Sequence, residues 1–428
     1  MHHYPLQTLT DFQILQRDLN TNTSTVISPD GTQVVLKTGG PYSIGEKQDI
    51  YVGDIWVMAG QSNMRGHGFL QDPFCTNKVP DFPPVHLYDS TETWCQSNDP
   101  THRIFLSKRK VHHRLPDPTV RNPDICKYRG ASLGPAFAAH YEPGVPVGLI
   151  ASAHGGVSLN DWKRPTELTA EAYDSTLYGA MISRIEKVGN NVAGVLWYQG
   201  ESDTGCASDA DTYGERFLQW VKALRLDTRA DLPVLFVQLA SHRVTLPDMI
   251  NNWMTVQDQQ RRLMSGTDFV VGVSSIDCGL DDRVHVSKDG LAVIGKRLAR
   301  AANLLLKKGP SSSAAAVVTP LPKLARFEKI EYVTGAQINS IKLEFILPQG
   351  FKFESGGMNV IGFELENSKE AVLRACIEED QQSIRLYLAS SPIEGMAIRY
   401  GMNLQPTNLN VNSDCILPAF KGLVIDFI

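Results

Sequence analysis

No run of about 18 apolar residues occurs in this sequence, so nothing in it reads as a membrane-spanning helix. There is no CxxC pair and no HExxH, and the seven cysteines are scattered at 75, 95, 126, 206, 278, 376 and 415. An odd number at wide spacing points to free thiols in a reducing compartment and away from a disulfide framework or a structural zinc site. The first residues, MHHYPLQTLTDFQILQRDL, lack the continuous apolar stretch of a signal peptide, and a cytoplasmic location is expected. Basic residues do not outnumber acidic ones (41 against 46, net charge −5), which leaves no footprint for nucleic acid or for an anionic membrane surface. Internal repeats are absent.

The chain does have the length and apolar content for more than one core: 428 residues, 42% hydrophobic and 20% charged. Residues 1–50 carry short β-prone stretches at 14–16, 25–27 and 34–37, with an Asp-Gly turn signal at 30–31. From 51 to 308 the pattern alternates. Apolar strands are expected at 55–59, 145–152, 193–199, 233–240 and 268–275, with amphipathic helices at 134–141, 177–188 and 213–225. A last helix over 291–308 places Leu291, Ile294, Leu298, Ala301 and Leu305 on one face. Such alternation predicts an α/β domain in which a parallel sheet is covered by helices on both faces. The segment GPSSSAAAVVTPLP (309–322) has the composition of a linker, and residues 323–428 read as a β-sandwich module.

Parallel sheets place their active sites beyond the carboxyl ends of the strands. The residues just after each expected strand are therefore informative. Gly60-Gln61-Ser62-Asn63 comes after the first, Ala153-His154-Gly155-Gly156-Val157 after the second, Gln199-Gly200-Glu201-Ser202-Asp203 after the third, and Asp282-Arg283-Val284-His285 after the last. Each alone has a bland use: a serine as a helix N-cap, a glycine pair as a tight turn, a histidine as a loop residue. Together they supply the parts of acyl transfer, namely a nucleophile, a base with its orienting carboxylate, and oxyanion donors.

These stretches resemble the sialate O-acetylesterase family of SGNH-type hydrolases. GDIWVMAGQSNM (53–64), VPVGLIASAHGGVSLNDW (145–162), GVLWYQGESD (194–203) and VHVSKDGLAVIGKRLA (284–299) are similar to its four core blocks. FQILQR (12–17), GGPYSI (39–44), MAIRYGMNLQPTNLN (396–410) and LPAFKG (417–422) are similar to its flanking β segments. The resemblance implies a three-layer α/β/α SGNH-hydrolase-like fold, with a small N-terminal β segment and a C-terminal β module. It implies Ser62 as nucleophile and His285 as base, with Asp282 as third member and Glu201 as its alternative or helper. It implies an oxyanion hole made by the Ser62 and Gly156 N–H groups and the Gln199 side chain. Gln61, Asn63 and Arg65 are expected to contact substrate, with Arg65 either meeting a sugar carboxylate or, the commoner case, standing as a solvated loop arginine. No metal or organic cofactor is implied. The substrate would be a small-molecule or oligosaccharide acetyl ester, first of all an O-acetylated sialic acid.

The sequence departs from the family pattern at Val157, where threonine is common, and at Val286, where proline is usual. His67 is expected to be carried away from Ser62 by the intervening turn, and SKRKVHHR (107–114) to form a solvated charge run. Trp162 and Trp197 are expected in the core. Two competing functions are compatible with the sequence, an acetylxylan-type esterase acting on neutral sugars and a non-catalytic glycan-binding protein.

Overall fold

The computed structural model describes residues 3–71, 82–308, 319–331, 335, 337–355, 359–366, 368, 371–402, 407, 409–411 and 415–427. Most of the expected linker, 309–318, lies outside the described residues.

Seven strands organise the first part of the chain: β1 (Lys47–Gly60), β2 (Val85–Tyr88), β3 (Trp94–Ser97), β4 (Val147–Ala151), β5 (Gly194–Tyr198), β6 (Val234–Val237) and β7 (Val270–Val273). They lie side by side in the order β7-β6-β5-β1-β4-β2-β3. All neighbours are parallel except β2 and β3, which form an antiparallel pair at one edge. The strands are buried along their apolar runs, β4 to β7 throughout, as strands covered on both faces must be.

Strand β1 is the pivot. It pairs with β4 on one side and β5 on the other, so the connections leaving the sheet diverge beside it. That divergence is where a crevice opens at the carboxyl ends of a parallel sheet. Strand β1 also extends backwards. Its first half pairs with Ile14–Gln16 and Gly39–Ile44, so one continuous strand runs through the 50–51 boundary and is shared between the N-terminal β element and the sheet.

Five longer helices pack on this framework: α1 (Gly134–His140), α2 (Leu177–Lys187), α3 (Tyr213–Asp227), α4 (Pro247–Leu263) and α5 (Lys288–Lys308). On α5 the stripe read from sequence is the buried face, with Leu291, Ile294 and Leu298 fully covered. Each such side chain contributes roughly 1.5–3 kcal/mol through burial. Helix α4 and the β2–β3 hairpin are additions to the elements expected from sequence. Trp162 and Trp197 are both core residues, packed edge-to-face with each other, and Trp197 lies tilted against Trp220.

The C-terminal part differs from the expected sandwich. Strands β8 (Leu321–Glu331), β9 (Gln337–Ile346), β10 (Phe363–Leu365), β11 (Val372–Ile377), β12 (Ser383–Leu388), β13 (Ala397–Tyr400) and β14 (Phe420–Phe427) follow one path, β10-β13-β14-β8-β9-β12-β11. The sheet curls until its two edges approach, and Val360 N–H, just ahead of β10, donates to the Ala375 carbonyl on β11 at 2.8 Å. The result is a barrel-like sheet around its own buried core rather than two stacked sheets. A single curved sheet satisfies edge hydrogen bonds that a sandwich leaves open. Gln238, just after β6, ties this module to the first domain by bonding both the N–H and the carbonyl of Ala419, at 3.0 and 2.8 Å.

Candidate active site

At the end of β1 the chain must turn sharply. Gly60 has φ 134°, and a Cβ there would lie 2.2 Å from the Tyr198 carbonyl oxygen on β5, so only glycine fits. Gln61 N–H donates to that carbonyl at 2.8 Å, and the chain enters a single helical turn, Ser62–Arg65. Ser62 therefore stands at the first position of the turn, above the pivot strand. Its side chain makes no cap bond; it points to a histidine.

That histidine is brought in by the loop after β7. Leu280 and Val286 bridge, Asp281 N–H donates to the His285 carbonyl at 2.8 Å, and Ser287 N–H to Gly279 at 2.8 Å. The closed loop puts Asp282 at its corner, where the carboxylate accepts the N–H groups of Val284 and His285 at 3.1 and 2.9 Å. The same carboxylate takes His285 Nδ1 at 2.8 Å, while Nε2 lies 2.9 Å from Ser62 Oγ. Asp282, His285 and Ser62 thus form an unbroken line. Half-burial raises the Asp282 carboxyl, but the His285 hydrogen bond and charge outweigh it and hold it well below the usual carboxylate range. An ionised carboxylate on Nδ1 selects the tautomer with Nε2 free to accept from a hydroxyl. Arg129, 3.2 Å from Asp282, faces it from across the mouth.

Two backbone N–H groups beside the site, those of Ser62 and Gly156, are without an acceptor among the described residues. The Gly155-Gly156 loop is held by Asp117, whose buried carboxylate accepts Gly155 N–H at 3.0 Å and lies 3.2 Å from Arg65 Nε. A Cβ on Gly155 would meet that carboxylate at 2.1 Å, so the loop's approach requires glycine. Burial pushes the Asp117 carboxyl up, and Arg65 with Thr119 brings it below its ordinary value.

Gln199, expected as an oxyanion donor, is bonded within the protein. Its Nε2 donates to Asp203 at 2.6 Å and lies 3.2 Å from both Gln61 Oε1 and the Val157 carbonyl, which uses its two hydrogens. Its Oε1 is buried without a partner. Three acceptors around one nitrogen fix the amide's orientation in this structure. Asp203, four residues on, captures the amide; it also accepts Leu159 N–H and Arg216.

The expected substrate contacts also have partners within the protein. Gln61, Asn63 and Arg65 are all nearly fully buried and bonded to protein. Gln61 Oε1 accepts from Gly200 and Ser202 N–H at 3.3 and 3.2 Å. Asn63 spans Glu201 and the histidine loop. Arg65 pairs with Asp117 and donates to His67 Nδ1 at 3.0 Å. These side chains hold the site's loops together. Glu201 makes no direct bond to His285: its Oε1 accepts from Asn63 at 2.5 Å, and burial pushes its carboxyl up to about 7.

Four contributors escape a reading of the sequence. His67 folds back so that its ring centroid is 4.1 Å from that of His285. Burial, reinforced by His285 and Arg65, lowers its pKa to about 3, so it stays neutral. Arg129 is the second. Asp117 and Asp203 are the others; Asp117 precedes a proline at a helix start, an N-cap signal that says nothing of a partner 38 residues away. The 107–114 run is only partly solvated. His112 is buried, its Nδ1 3.1 Å from His154 Nδ1 and its Nε2 3.3 Å from Arg184. Because Arg184 can only donate, His112 carries its proton on Nδ1 and donates to His154.

His67, Asp282 and His285 bring one ligand atom each to within 4.8 Å, the one such cluster among the described residues. The donors are already committed to the serine line, and Arg65 occupies His67 Nδ1.

The chain matches known carbohydrate esterases. The model of a family described as carbohydrate esterase, sialic acid-specific acetylesterase, matches residues 52–303, more than half of the chain. A probable carbohydrate esterase of Arabidopsis thaliana is 31% identical over 222 residues, 47% of this chain and 77% of that protein. The sialate O-acetylesterases of Pongo abelii and Homo sapiens are 28% and 27% identical, over 44% of this chain and 41% of theirs, so under half of their length is matched. The crystal structure of a carbohydrate acetylesterase from Xanthomonas citri superposes with a TM-score of 0.63 at 21% identity, covering 99% of both chains, which establishes a shared fold.

Proposed function

We propose that this chain, which belongs to the sialic acid-specific acetylesterase family of carbohydrate esterases, removes acetyl groups from O-acetylated sialic acids through an acetyl-serine intermediate. Carbohydrate acetylesterase chemistry is the family's activity. The observation that carries the serine mechanism is the line Asp282–His285–Ser62, with both of its contacts under 3 Å. The parallel strand order and the interleaved helices support a three-layer SGNH-type arrangement. Three separate buried cores support the division into an N-terminal β segment, a catalytic domain and a C-terminal module.

Ser62 Oγ attacks the acetyl carbonyl carbon as His285 Nε2 takes its proton, and the carbonyl electrons move onto oxygen. The N–H groups of Ser62 and Gly156 receive that oxyanion; losing one such donor costs roughly 100- to 1,000-fold in turnover. Collapse breaks the bond to the sugar oxygen, which leaves with the proton from His285. Water then gives its proton to His285 and attacks the acetyl-serine, and acetate departs as Ser62 regains its proton.

One observation favours a second reading. Arg65, expected to meet the carboxylate that sialic acid has and xylose lacks, is buried against Asp117. This keeps an esterase for neutral acetylated sugars in view. The deciding experiment measures acetate release from 9-O-acetyl sialic acid and from an acetylated xylo-oligosaccharide, with Ser62→Ala alongside. Release from the sialic acid, abolished in Ser62→Ala, is expected. Release from the xylo-oligosaccharide alone would transfer the function to neutral sugars, and no release from either, nor from simple acetyl esters, would overturn the esterase reading for this chain.

A further inference from the structure

We infer that Glu201 is a positioning residue for the base His285, acting through Asn63. The inference rests on the acetylesterase reading and deepens it.

The two neighbours of Ser62 work as a pair of clamps. On one side, Gln61 Oε1 accepts from the peptide N–H groups that flank Glu201, those of Gly200 and Ser202. On the other, Asn63 grips the peptide groups that flank His285. Its Nδ2 donates to the Val284 carbonyl at 3.1 Å and its Oδ1 accepts Val286 N–H at 3.0 Å. The turn that carries the nucleophile is thereby tied to the main chain on both sides of the base.

An amide clamp works in one orientation only. Rotated by half a turn, Asn63 would set its oxygen against the Val284 carbonyl and its nitrogen against Val286 N–H. The group that decides between the two is Glu201, whose Oε1 accepts the second Nδ2 hydrogen at 2.5 Å. An ionised carboxylate there can only accept, so it takes the amide nitrogen and repels the amide oxygen. Glu201 Oε2 is buried and has no partner among the described residues, and no bond joins Glu201 to His285 or Ser62. A buried carboxyl that touches neither reacting group, yet is pinned on both sides by a neighbour of the nucleophile, has Asn63 as its route to the chemistry. Asp203, Tyr198 and Tyr213 are the other titratable groups around it.

The test is a double-mutant cycle on the full chain, with Glu201→Met, Glu201→Gln, Asn63→Ala and Asn63→Ala/Glu201→Met. Methionine copies the shape of glutamate without its acceptor, while glutamine keeps an oxygen that can accept from Asn63. Turnover of p-nitrophenyl acetate and hydrogen exchange at the Val286 amide are read in each protein. Glu201→Met is expected to lower kcat about 10- to 100-fold, the scale of one lost charge-assisted bond, with KM nearly unchanged. Glu201→Gln is expected to stay within a few-fold of wild type. In the Asn63→Ala background Glu201→Met is expected to change kcat by less than about 2-fold, since its route is gone. Val286 exchange should accelerate in Asn63→Ala and in Glu201→Met, and no further in the double variant.

An equal loss in both backgrounds, or unchanged Val286 exchange in Glu201→Met, would overturn the inference and make Glu201 an independent participant. Glu201→Ala repeats the cycle should Glu201→Met not fold. Exchange needs no turnover, so a wild type inactive on every ester would sink the functional reading while the clamp is still decided at Val286.

Discussion

Ser62 Oγ and His285 Nε2 meet at 2.9 Å across 223 positions of chain, and the ring that joins them is held from behind by Asp282. The contact exists because the pivot strand ends in a turn that lifts the serine, and because a closed loop from the sheet's far edge folds over to it.

Asp282→Asn tests that line. The asparagine amide can donate to Nδ1, which moves the ring proton to Nε2 and removes the acceptor for the Ser62 hydroxyl. The expected result is a fall in kcat of about 1,000- to 10,000-fold with little change in KM, measured in steady state on p-nitrophenyl acetate. A loss below ten-fold would mean that another group orients His285.

Gln199→Ala separates an oxyanion donor from a structural amide. With its nitrogen bound to Asp203, Gln199 holds a buried carboxylate, and its removal leaves that carboxylate short of a donor. The expected cost is about 1–3 kcal/mol of stability, read by chemical denaturation, with kcat reduced less than about 10-fold. A 100-fold loss of kcat at unchanged stability would show that the amide turns toward the oxyanion during turnover.

Glu201 predicts a pH dependence. Its carboxyl is raised by burial to about 7, so the folded chain holds this proton more tightly than the unfolded chain, whose carboxyl keeps the ordinary 4.5. The stability it contributes is complete below the unfolded value and is lost as pH rises through about 7. Glu201→Gln is neutral throughout. Thermal melts at pH 5 and pH 8 should therefore favour wild type over Glu201→Gln more at the lower pH, with a span of up to about 3 kcal/mol. Asp203, raised by its own burial, is present in both proteins and largely cancels in the comparison. An equal difference at both pH values would refute the raised carboxyl.

Much of the architecture was readable because it depends on local signals. Runs such as Ile55–Ala59 and Val195–Tyr198 are too apolar to face water, and the stripe on Leu291–Leu305 has helical spacing, so strand and helix are legible directly. The β2–β3 hairpin escaped because Val85–Ser97 mixes polar and apolar residues, and helix α4 because its buried face includes the polar Gln257, Asp258 and Gln260. The C-terminal strands alternate, as they would in either a sandwich or a curled sheet. Alternation marks which face is buried, not how the sheet closes on itself.

Within the site, the order of residues determined which groups exist: a serine after one strand, a glycine pair after another, an Asp-x-x-His after the last. Rules for where parallel sheets put their chemistry were enough to gather them. The role of each polar side chain was decided only in three dimensions. Gln199, Asn63, Gln61 and Arg65 carry donors and acceptors that suit either a ligand or a neighbour, and a hydrogen bond forms with whichever partner the fold brings within about 3 Å. Asp203, Glu201, Gly200 and Asp117 are that near; a sugar reaches only the groups they leave free. The sequence by itself therefore determined the serine, the histidine and the sheet that presents them. Tertiary packing decided which of the surrounding amides and carboxylates face the substrate and which brace the loops, because that choice depends on distances between segments that no local pattern encodes.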